Sequence, residues 1–243
     1  GNMTDNGALT IAGTTTLTTS ANDATIALDT TTNAFTGAVT ITTNDDSGTD
    51  ADVTIDGGTT ALILAASTID GDLTLTSGNA SGITDSGTVT VGGNLAATTD
   101  AANGVINLGT LAVDGTVALT THGSGNATVV NDAGLNFAAS TVGGVLNATA
   151  TTGNMMDSGA LTITGTSSFT TSANNAMIAL DTTTNAFTGA VTITTNDNSG
   201  TDADVTIDGG TTALVLAAST IDGDLMLRSG HASGITDSGT VTV

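Results

Sequence analysis

The chain has 243 residues and a formal net charge of −22 at pH 7, because 23 acidic residues face a single fixed cation, Arg228. One arginine cannot neutralise a phosphate backbone, and this charge is repelled by anionic lipid surfaces, which argues against nucleic acid and membrane surfaces as partners. No run of 18 apolar residues occurs, so we expect no membrane insertion.

The composition predicts an all-β protein. Lys, Glu, Gln, Pro, Cys, Trp and Tyr are absent, all the acids are Asp, and Thr is the commonest residue. Thr, Val and Ile suit a pleated surface, while Gly, Asn and Asp supply turns. Low complexity and high charge are also typical of disorder. The positive mean hydropathy of 0.26 and the regular alternation of apolar and polar residues favour a folded chain instead.

Short strands with a period of two follow one another along the chain. Each run has Leu, Val or Ile on one face and Thr on the other, and ND, DG, GG or SG pairs separate the runs. The predicted strands include Ala8–Ala12, Ala38–Thr42, Asp52–Asp56, Asp72–Thr76, Thr88–Val91 and Thr116–Thr120.

A long internal duplication organises these strands. Residues 153–243 repeat residues 1–91 with 13 differences, at a spacing of 152 residues. Residues 1–152 are therefore one full repeat and 153–243 a partial second one, with no domain boundary expected between them. A chain that duplicates so long a unit is typical of a repeat array rather than a globule with one pocket.

A finer repeat lies inside the long one. Leu62–Gly87 resembles Leu135–Gly159, about half a period later, and returns at Leu214–Gly239. The shared frame contains Ala-Ala-Ser and then Asp-Ser-Gly, followed by a new strand. Short strands, frequent turns and no helix predict a parallel β-solenoid, or β-helix, with coils on the order of 20–25 residues and about six or seven coils per period. Aliphatic side chains would fill its interior.

The Thr- and Gly-rich strands in Gly159–Phe169, Ala34–Thr42 and Ser67–Gly78 resemble the repeats of filamentous-haemagglutinin-like bacterial exoproteins. The resemblance covers essentially the whole chain. It implies a right-handed parallel β-helix in a very long secreted adhesin or matrix protein, located outside the cell or on its surface. It implies no active site.

The densest acidic stretch is a candidate Ca²⁺ site. Short carboxylates on a Gly-containing loop can bring several hard oxygens together, as Ca²⁺ requires. The alternative is a solvated loop whose aspartates cap turns and keep the array soluble. The possible ligands are Asp45, Asp46, Asp50 and Asp52 in the first copy and Asp197, Asp202 and Asp204 in the second. Asp70-Gly71-Asp72 and its copy at 222–224 are weaker candidates.

The remaining chemically reactive side chains do not repeat. His231 replaces Asn79, Arg228 replaces Thr76, and His122 and His231 lie 109 residues apart, which is not a multiple of the period. A catalytic residue should not alternate with Asn between near-identical units, so we expect no catalytic residue and no cofactor other than possible Ca²⁺. Phe35 and Phe187 are equivalent and are predicted to pack in the core. Thr-x-Thr pairs suggest ice-binding solenoids, but their irregular spacing argues against that function.

These observations predict a structural segment of an extracellular fibre, stalk or surface layer, whose stiff rods associate end to end into filaments. The alternative is an adhesin module that binds glycan or a host surface. A polysaccharide-acting enzyme would need a carboxylate pair with aromatic sugar platforms, or basic residues, and the chain is poor in both.

Overall fold

The computed structural model describes residues 1–44, 50–196 and 202–243, and within these ranges every regular element is a β-strand. The first strands are β1 Met3–Thr4, β2 Thr10–Ile11, β3 Thr15–Thr18, β4 Ile26–Leu28, β5 Ala34–Phe35, β6 Val39–Thr42, β7 Val53–Asp56, β8 Leu62–Leu64, β9 Ser67–Ile69, β10 Leu73–Ser77, β11 Ile83–Asp85 and β12 Val89–Val91. The middle strands are β13 Leu95–Ala102, β14 Ile106–Val113, β15 Thr116–His122, β16 Ala127–Asn131, β17 Leu135–Phe137, β18 Ser140–Val142 and β19 Leu146–Ala150. The last strands are β20 Met155–Asp157, β21 Leu161–Ile163, β22 Ser167–Asn174, β23 Ile178–Leu180, β24 Ala186–Phe187, β25 Val191–Asn196, β26 Val205–Asp208, β27 Leu214–Leu216, β28 Ser219–Thr220, β29 Leu225–Arg228, β30 Ile235–Asp237 and β31 Val241–Thr242.

The strands form two long parallel sheets. Sheet 1 runs β1-β4-β7-β10-β13-β15-β17-β20-β23-β26-β29, and sheet 2 contains β3, β6, β8 and the strands that stack after them. β2 and β5 pair separately beside sheet 1. The chain alternates between the two sheets, so each passage through both sheets is one coil. We number the coils 1 to 11, each beginning at its strand in the sheet 1 series. This arrangement confirms the predicted parallel β-solenoid.

One 152-residue period spans seven coils, because β1 of coil 1 and β20 of coil 8 carry equivalent sequences. The coils differ in length. In sheet 1, the register steps from Val53 to Leu73 across one of the short coils and from Ile26 to Val53 across one of the long ones. The seven coils per period agree with the sequence-based prediction, whereas the coil from Ile26 to Val53, at 53 − 26 = 27 residues, is longer than the predicted 20–25.

The core is a single column of aliphatic side chains between the sheets. In β6, Val39 and Ile41 are fully buried while Thr40 and Thr42 point outward, which is the alternation that a pleated strand imposes. Each predicted strand run contains an observed strand. No helix able to span a membrane occurs in the described part of the chain.

The half-period repeat changes sheet. The Ala-Ala-Ser frame at residues 65–67 joins β8 to β9 in sheet 2, whereas its counterpart at residues 138–140 joins β17 to β18 in sheet 1. The third occurrence, at residues 217–219, is again in sheet 2. Each half unit therefore makes about three and a half turns. Equivalent side chains of successive half units lie on opposite sides of the rod.

Candidate functional site

The repeated Asp-Ser-Gly segments hold successive coils together. In coil 4, Asp85 lies at the end of β11, where the chain breaks before the next short strand. Its Oδ1 accepts a hydrogen bond from the amide of Gly109 at 3.0 Å, and its Oδ2 accepts from the amide and hydroxyl of Thr110 at 2.7 and 2.8 Å. Both donors belong to coil 5. The carboxylate thus satisfies backbone amides that the β ladder leaves without a partner.

The equivalent carboxylate in coil 8 binds a buried asparagine. The Oδ2 atom of Asp157 accepts from Nδ2 of Asn185 at 2.6 Å, and its Oδ1 accepts from the amide of Asp181 at 3.0 Å. Asn185 is 1% exposed. Its Oδ1 accepts from the amide of Leu161 at 2.7 Å, and Nδ2 also donates to the carbonyl of Leu180. The side chain of Asn185 in coil 9 therefore both donates a hydrogen bond to coil 8 and accepts one from it.

Ser and Gly of the same motif contact the preceding coil. Ser158 donates its hydroxyl to the carbonyl of Phe137 at 3.2 Å, as Ser86 does to Leu64. Gly159 lies so close to the backbone of Ala139 that a side chain at position 159 would overlap it. Asp-Ser-Gly is therefore a clamp with two sides, with the carboxylate directed to the next coil and Ser-Gly directed to the previous one.

The Ala-Ala-Ser frame is the surface on which Ser-Gly packs, and its serine also binds the coil before it. Ser140 is buried, and its hydroxyl accepts from the amide of Leu119 at 3.0 Å and donates to the carbonyl of Ala138 at 2.9 Å. Ser67 and Ser219 make the equivalent bonds. Ala-Ala-Ser, Asp-Ser-Gly and the acceptor loop thus occupy three consecutive coils in a fixed order.

The carboxyls of Asp157 and Asp5, which are equivalent in sequence, differ in the direction of their pKa shifts. Burial raises the pKa of the Asp157 carboxyl above its ordinary value, and hydrogen bonds from Asn185, Thr182 and Asp181 offset this only in part. Asp5 is the same residue one period earlier and lies in coil 1. Burial also acts to raise the pKa of Asp5, but hydrogen bonds from Asn33 and Thr30 outweigh it, so the net pKa is lowered.

Of the candidate Ca²⁺ ligands, Asp45, Asp46 and Asp197 lie outside the described residues. Asp50, Asp52, Asp202 and Asp204 are exposed at the corner between sheet 2 and sheet 1. No group of three or more potential ligands is placed to hold a metal in residues 1–44, 50–196 and 202–243. The Ca²⁺ site therefore stays a prediction.

Two of these aspartates have a structural bond at the same corner. Asp52 accepts from the amide of Asp72 at 2.9 Å, and Asp204 accepts from the amide of Asp224 at the same distance. The series continues in the next coils. Asp72 accepts from the amide of Asn94, and Asn94 accepts from the amide of Thr116. Each side-chain oxygen caps the equivalent residue one coil later, as the alternative interpretation of turn-capping aspartates predicts.

Arg228 forms an ion pair with a buried carboxylate. Its Nε lies 3.7 Å from Oδ2 of Asp208, whose side chain is 7% exposed, and Oδ1 of Asp208 accepts from the amide of Gly210. The first copy has Asp56 opposite Thr76, without the cation. Burial raises the pKa of Asp56, and the hydrogen bond from the amide of Gly58 lowers it by less. The Thr-to-Arg difference between the copies therefore supplies a counter-charge.

His231 takes over the role of an asparagine in a turn. Nδ1 of His231 accepts from the amide of Ser233 at 3.0 Å, just as Oδ1 of Asn79 accepts from the amide of Ser81 at 2.8 Å. His122 donates through Nδ1 to the carbonyl of Thr99 at 2.8 Å. Both rings thus have turn or coil contacts. The expectation that the chain lacks catalytic residues is not tested by these contacts and stays a prediction.

The core phenylalanines pack with aromatic or aliphatic neighbours. Phe35 and Phe187 are fully buried, as predicted. The ring of Phe187 meets the ring of Phe169 edge to face, with centroids 5.8 Å apart. The equivalent of Phe169 in the first copy is Leu17. The edge-to-face aromatic pair is therefore present in the second copy and is replaced by a Leu–Phe pair of positions in the first.

The outer face of sheet 2 is rich in hydroxyl groups and carries two columns of stacked threonines. Register pairs Thr18 with Thr42, Thr42 with Thr68 and Thr68 with Thr90, so four coils form one threonine column. A second column joins Thr149, Thr170, Thr194, Thr220 and Thr242. Variable loop lengths hide this alignment in the sequence, where the spacing is irregular.

The Asp-Ser-Gly frame is visible in the sequence but its hydrogen bonds are not, and the roles of Asn33 and Asn185 were not predicted. Both asparagines are buried and link neighbouring coils. They lie in the segment of residues 29–45 that recurs unchanged at residues 181–197. The available signal was an asparagine that recurs unchanged within Thr-Asn-Ala-Phe in both copies, but nothing in that short sequence separates a buried asparagine from one in a turn.

The ladders and clamps define a β-solenoid repeat protein. The chain belongs to the family described as repeats of unknown function (DUF5649), whose model matches residues 1–42, 50–108, 124–194 and 202–243. After the first match, new matches begin roughly once every half period, in agreement with the clamp frame. Comparisons with curated proteins and with solved structures gave no match.

Proposed function

We propose that the chain is a structural segment of an extracellular bacterial fibre, stalk or surface layer, and that its function is to form a stiff rod. The main support is the unbroken series of parallel pairings from β1 to β29, reinforced by Asp-Ser-Gly clamps between coils. Bending the rod would open ladder bonds and clamps together. The resemblance to filamentous-haemagglutinin-like repeats supports secretion and a location at the cell surface.

The distribution of charge also fits this proposal. Asp50, Asp52, Asp70 and Asp72 lie at one corner, where they keep neighbouring rods apart at low salt. Because the sides of the rods carry the same charge, they repel each other. Stacking of coils along the axis is therefore favoured over lateral association. Self-association into filaments is therefore the partner we propose first.

Electron microscopy of the purified chain, combined with small-angle scattering, tests the rod. We expect unbranched particles whose length grows by about 4.8 Å per coil when coils are added in whole periods. Surface labelling of intact cells with an antibody against residues 1–152 tests the location. Compact particles or exclusively internal labelling would contradict the proposal.

An adhesin module is the second candidate, favoured by the uncharged threonine columns of sheet 2. Such a face suits a neutral, hydroxyl-bearing partner such as a glycan, because it offers donors and acceptors without charge repulsion. A glycan array probed with the chain and with Thr42→Asp/Thr68→Asp distinguishes the two candidates. Binding that disappears in the variant supports the adhesin, and no retention supports the purely structural role.

A further inference from the structure

The sheet that contains the broken strands changes in the middle of the stack. In coils 3 and 4, sheet 2 has two short strands per coil, whereas in coils 7 and 8 the two short strands lie in sheet 1. The strand β14 pairs with both β11 and β12, and β15 pairs with both β17 and β18. Coils 5 and 6 therefore form a changeover between two cross-sections, where neighbouring coils differ in outline.

A groove of about 390 Å³ lies at this changeover, on the corner where sheet 2 leads into sheet 1. Coils are stacked on both sides of it, and its volume is in the range of small-ligand sites. Three successive turns of the chain supply its polar and apolar lining, which includes Asp114 and Thr116, then Leu135 and Asn136, then Asn154 and Met156.

Asn136 has an acceptor atom without a partner. The series of corner caps runs from Asp72 to Asn94 and from Asn94 to Thr116, and Thr116 lies in register with Asn136. The Oδ1 atom of Asn136 is nevertheless shielded from solvent and accepts no hydrogen bond within the part of the chain that the structure describes. The next residue in register is Met156, inside β20. A shielded acceptor without a partner destabilises a fold, which points to a donor from outside the chain.

The groove wall beside this acceptor is adjustable. Met156 is 45% exposed, and its unbranched thioether chain adapts easily to a neighbour. The terminal torsion of an asparagine side chain has a broad, roughly two-fold preference. Rotation of the Asn136 carboxamide together with a shift of Met156 therefore presents Oδ1 to a molecule in the groove.

The lining groups define the chemistry of that molecule. Asp114 supplies an exposed carboxylate, Asn136 supplies the acceptor without a partner, and Asn154 supplies a carboxamide whose Oδ1 is fixed by the amide of Met177 at 3.0 Å. Acceptors of this kind suit a ligand with several hydroxyl donors. No described residue of the lining is basic, and the net charge of −22 repels anions.

We propose that this groove binds a neutral oligosaccharide. Asp114 and Asn136 accept hydrogen bonds from sugar hydroxyls, and Met156 packs against the apolar face of a sugar ring. This inference goes beyond the proposed structural function, and its site differs from the threonine columns of sheet 2. The ligand is held by side chains of coils 5 to 8, at the changeover between half units.

The test begins with an array of neutral oligosaccharides built from hexoses and N-acetylhexosamines, probed with the 243-residue chain. Isothermal titration calorimetry then measures the retained oligosaccharide at low and high salt. We expect a Kd below about 1 mM that does not change with salt, because the ligand is uncharged. Spermine is the cationic comparison. Salt-sensitive binding of spermine without retention of any oligosaccharide would overturn the proposal, as would no retention at all.

Three groove variants locate the ligand. Asn136→Ala should weaken binding at least about tenfold while leaving the Tm unchanged or higher, because Oδ1 has no partner to lose in the free protein. An asparagine with a purely structural role would lower the Tm and leave the affinity unchanged. Asp114→Asn should also weaken binding. Met156→Thr introduces the residue that the first copy has at Thr4, so it should fold, and it should weaken binding about threefold or more through lost apolar contact.

Two controls lie outside the groove. Asp100→Asn removes an exposed charge on β13 and is matched to Asp114→Asn, so it should keep full affinity. Thr42→Asp/Thr68→Asp should keep it as well. Loss of binding in this double variant, with full binding by Asn136→Ala, would move the ligand to sheet 2 and contradict the groove. Rod-shaped particles in electron micrographs would leave the structural function intact in every one of these cases, and compact particles would overturn that function separately.

Discussion

The carboxylate of Asp157 and the carboxamide of Asn185 meet at 2.6 Å across the boundary between coils 8 and 9. Asn185 lies outside the strand ladders, yet the pair connects the end of β20 to the loop that precedes β24. The same bond orients Oδ1 of Asn185 toward the amide of Leu161 in the preceding coil. A buried polar network of this kind is stable only while every member keeps its partner.

The substitution Asn185→Ala should lower the free energy of unfolding of the surrounding coils by about 2 kcal/mol or more. The reason is that the amide of Leu161 and the carboxylate of Asp157 both lose a buried hydrogen-bond partner. Native-state hydrogen exchange should show faster exchange at Leu161, whose amide donates directly to Asn185. Asn33→Ala is the matched control one period earlier and should cost less, since Asp5 is covered on one side only. Equal effects at both positions would contradict this account of the network.

Introducing Thr76→Arg should stabilise the first copy at pH 7. The new guanidinium would face Asp56 as Arg228 faces Asp208, at a position where β10 pairs with β7. Because the arginine is largely exposed, we expect a gain of about 0.5–1 kcal/mol in the free energy of unfolding, decreasing with added salt. Thermal melts at low and high ionic strength check this. Thr74→Arg, which points outward without a buried carboxylate opposite it, should give no gain.

Stability should increase as the pH falls from 7 towards about 4. Burial raises the pKa of Asp56 and Asp157, so protonation favours the folded state, and the contribution is largest below the ordinary aspartate pKa of about 3.9. This stabilisation is lost as the pH rises through the raised pKa values of the two carboxyls. Asp5, with its lowered pKa, acts in the opposite direction, but the general repulsion among 23 aspartates adds to the first effect.

Urea unfolding between about pH 4 and 7 measures this slope. Asp56→Asn keeps an acceptor for the amide of Gly58 and removes the charge, so it should stabilise the chain at pH 7 by less than about 1 kcal/mol and reduce the slope. An unchanged slope in Asp56→Asn would show that burial of this carboxylate does not control the pH dependence.

Calcium should raise the Tm if the acidic loops bind it, and EDTA should then lower it. Asp50→Asn/Asp202→Asn is the informative variant, because Asp52 and Asp204 also cap backbone amides and their loss would destabilise the chain for a second reason. A Tm that is insensitive to both Ca²⁺ and EDTA would leave these aspartates with a turn-capping and solubilising role alone.

The architecture was predictable because it depends on patterns that a sequence displays directly. Alternating Val and Thr in β6, turn pairs between runs and the 152-residue repeat are sufficient to predict a parallel stack of coils. The clamps were not, because a hydrogen bond such as that between Asp157 and Asn185 joins residues in different coils whose spacing depends on loop length. The threonine columns of sheet 2 were missed for the same reason, since unequal coils bring unevenly spaced residues into line.

The change of sheet at each half period also sets the rotational phase of the molecule. A deletion of 152 residues would remove seven whole turns. Every surface beyond the deletion would keep its orientation about the solenoid axis, and only the length would change. Loss of a single half unit would remove three and a half turns and rotate the remainder of the solenoid by half a revolution, so that its acidic corner would face the opposite side. Recombination between the long copies can therefore shorten or extend the solenoid while preserving the direction that each surface faces, and recombination between half units cannot.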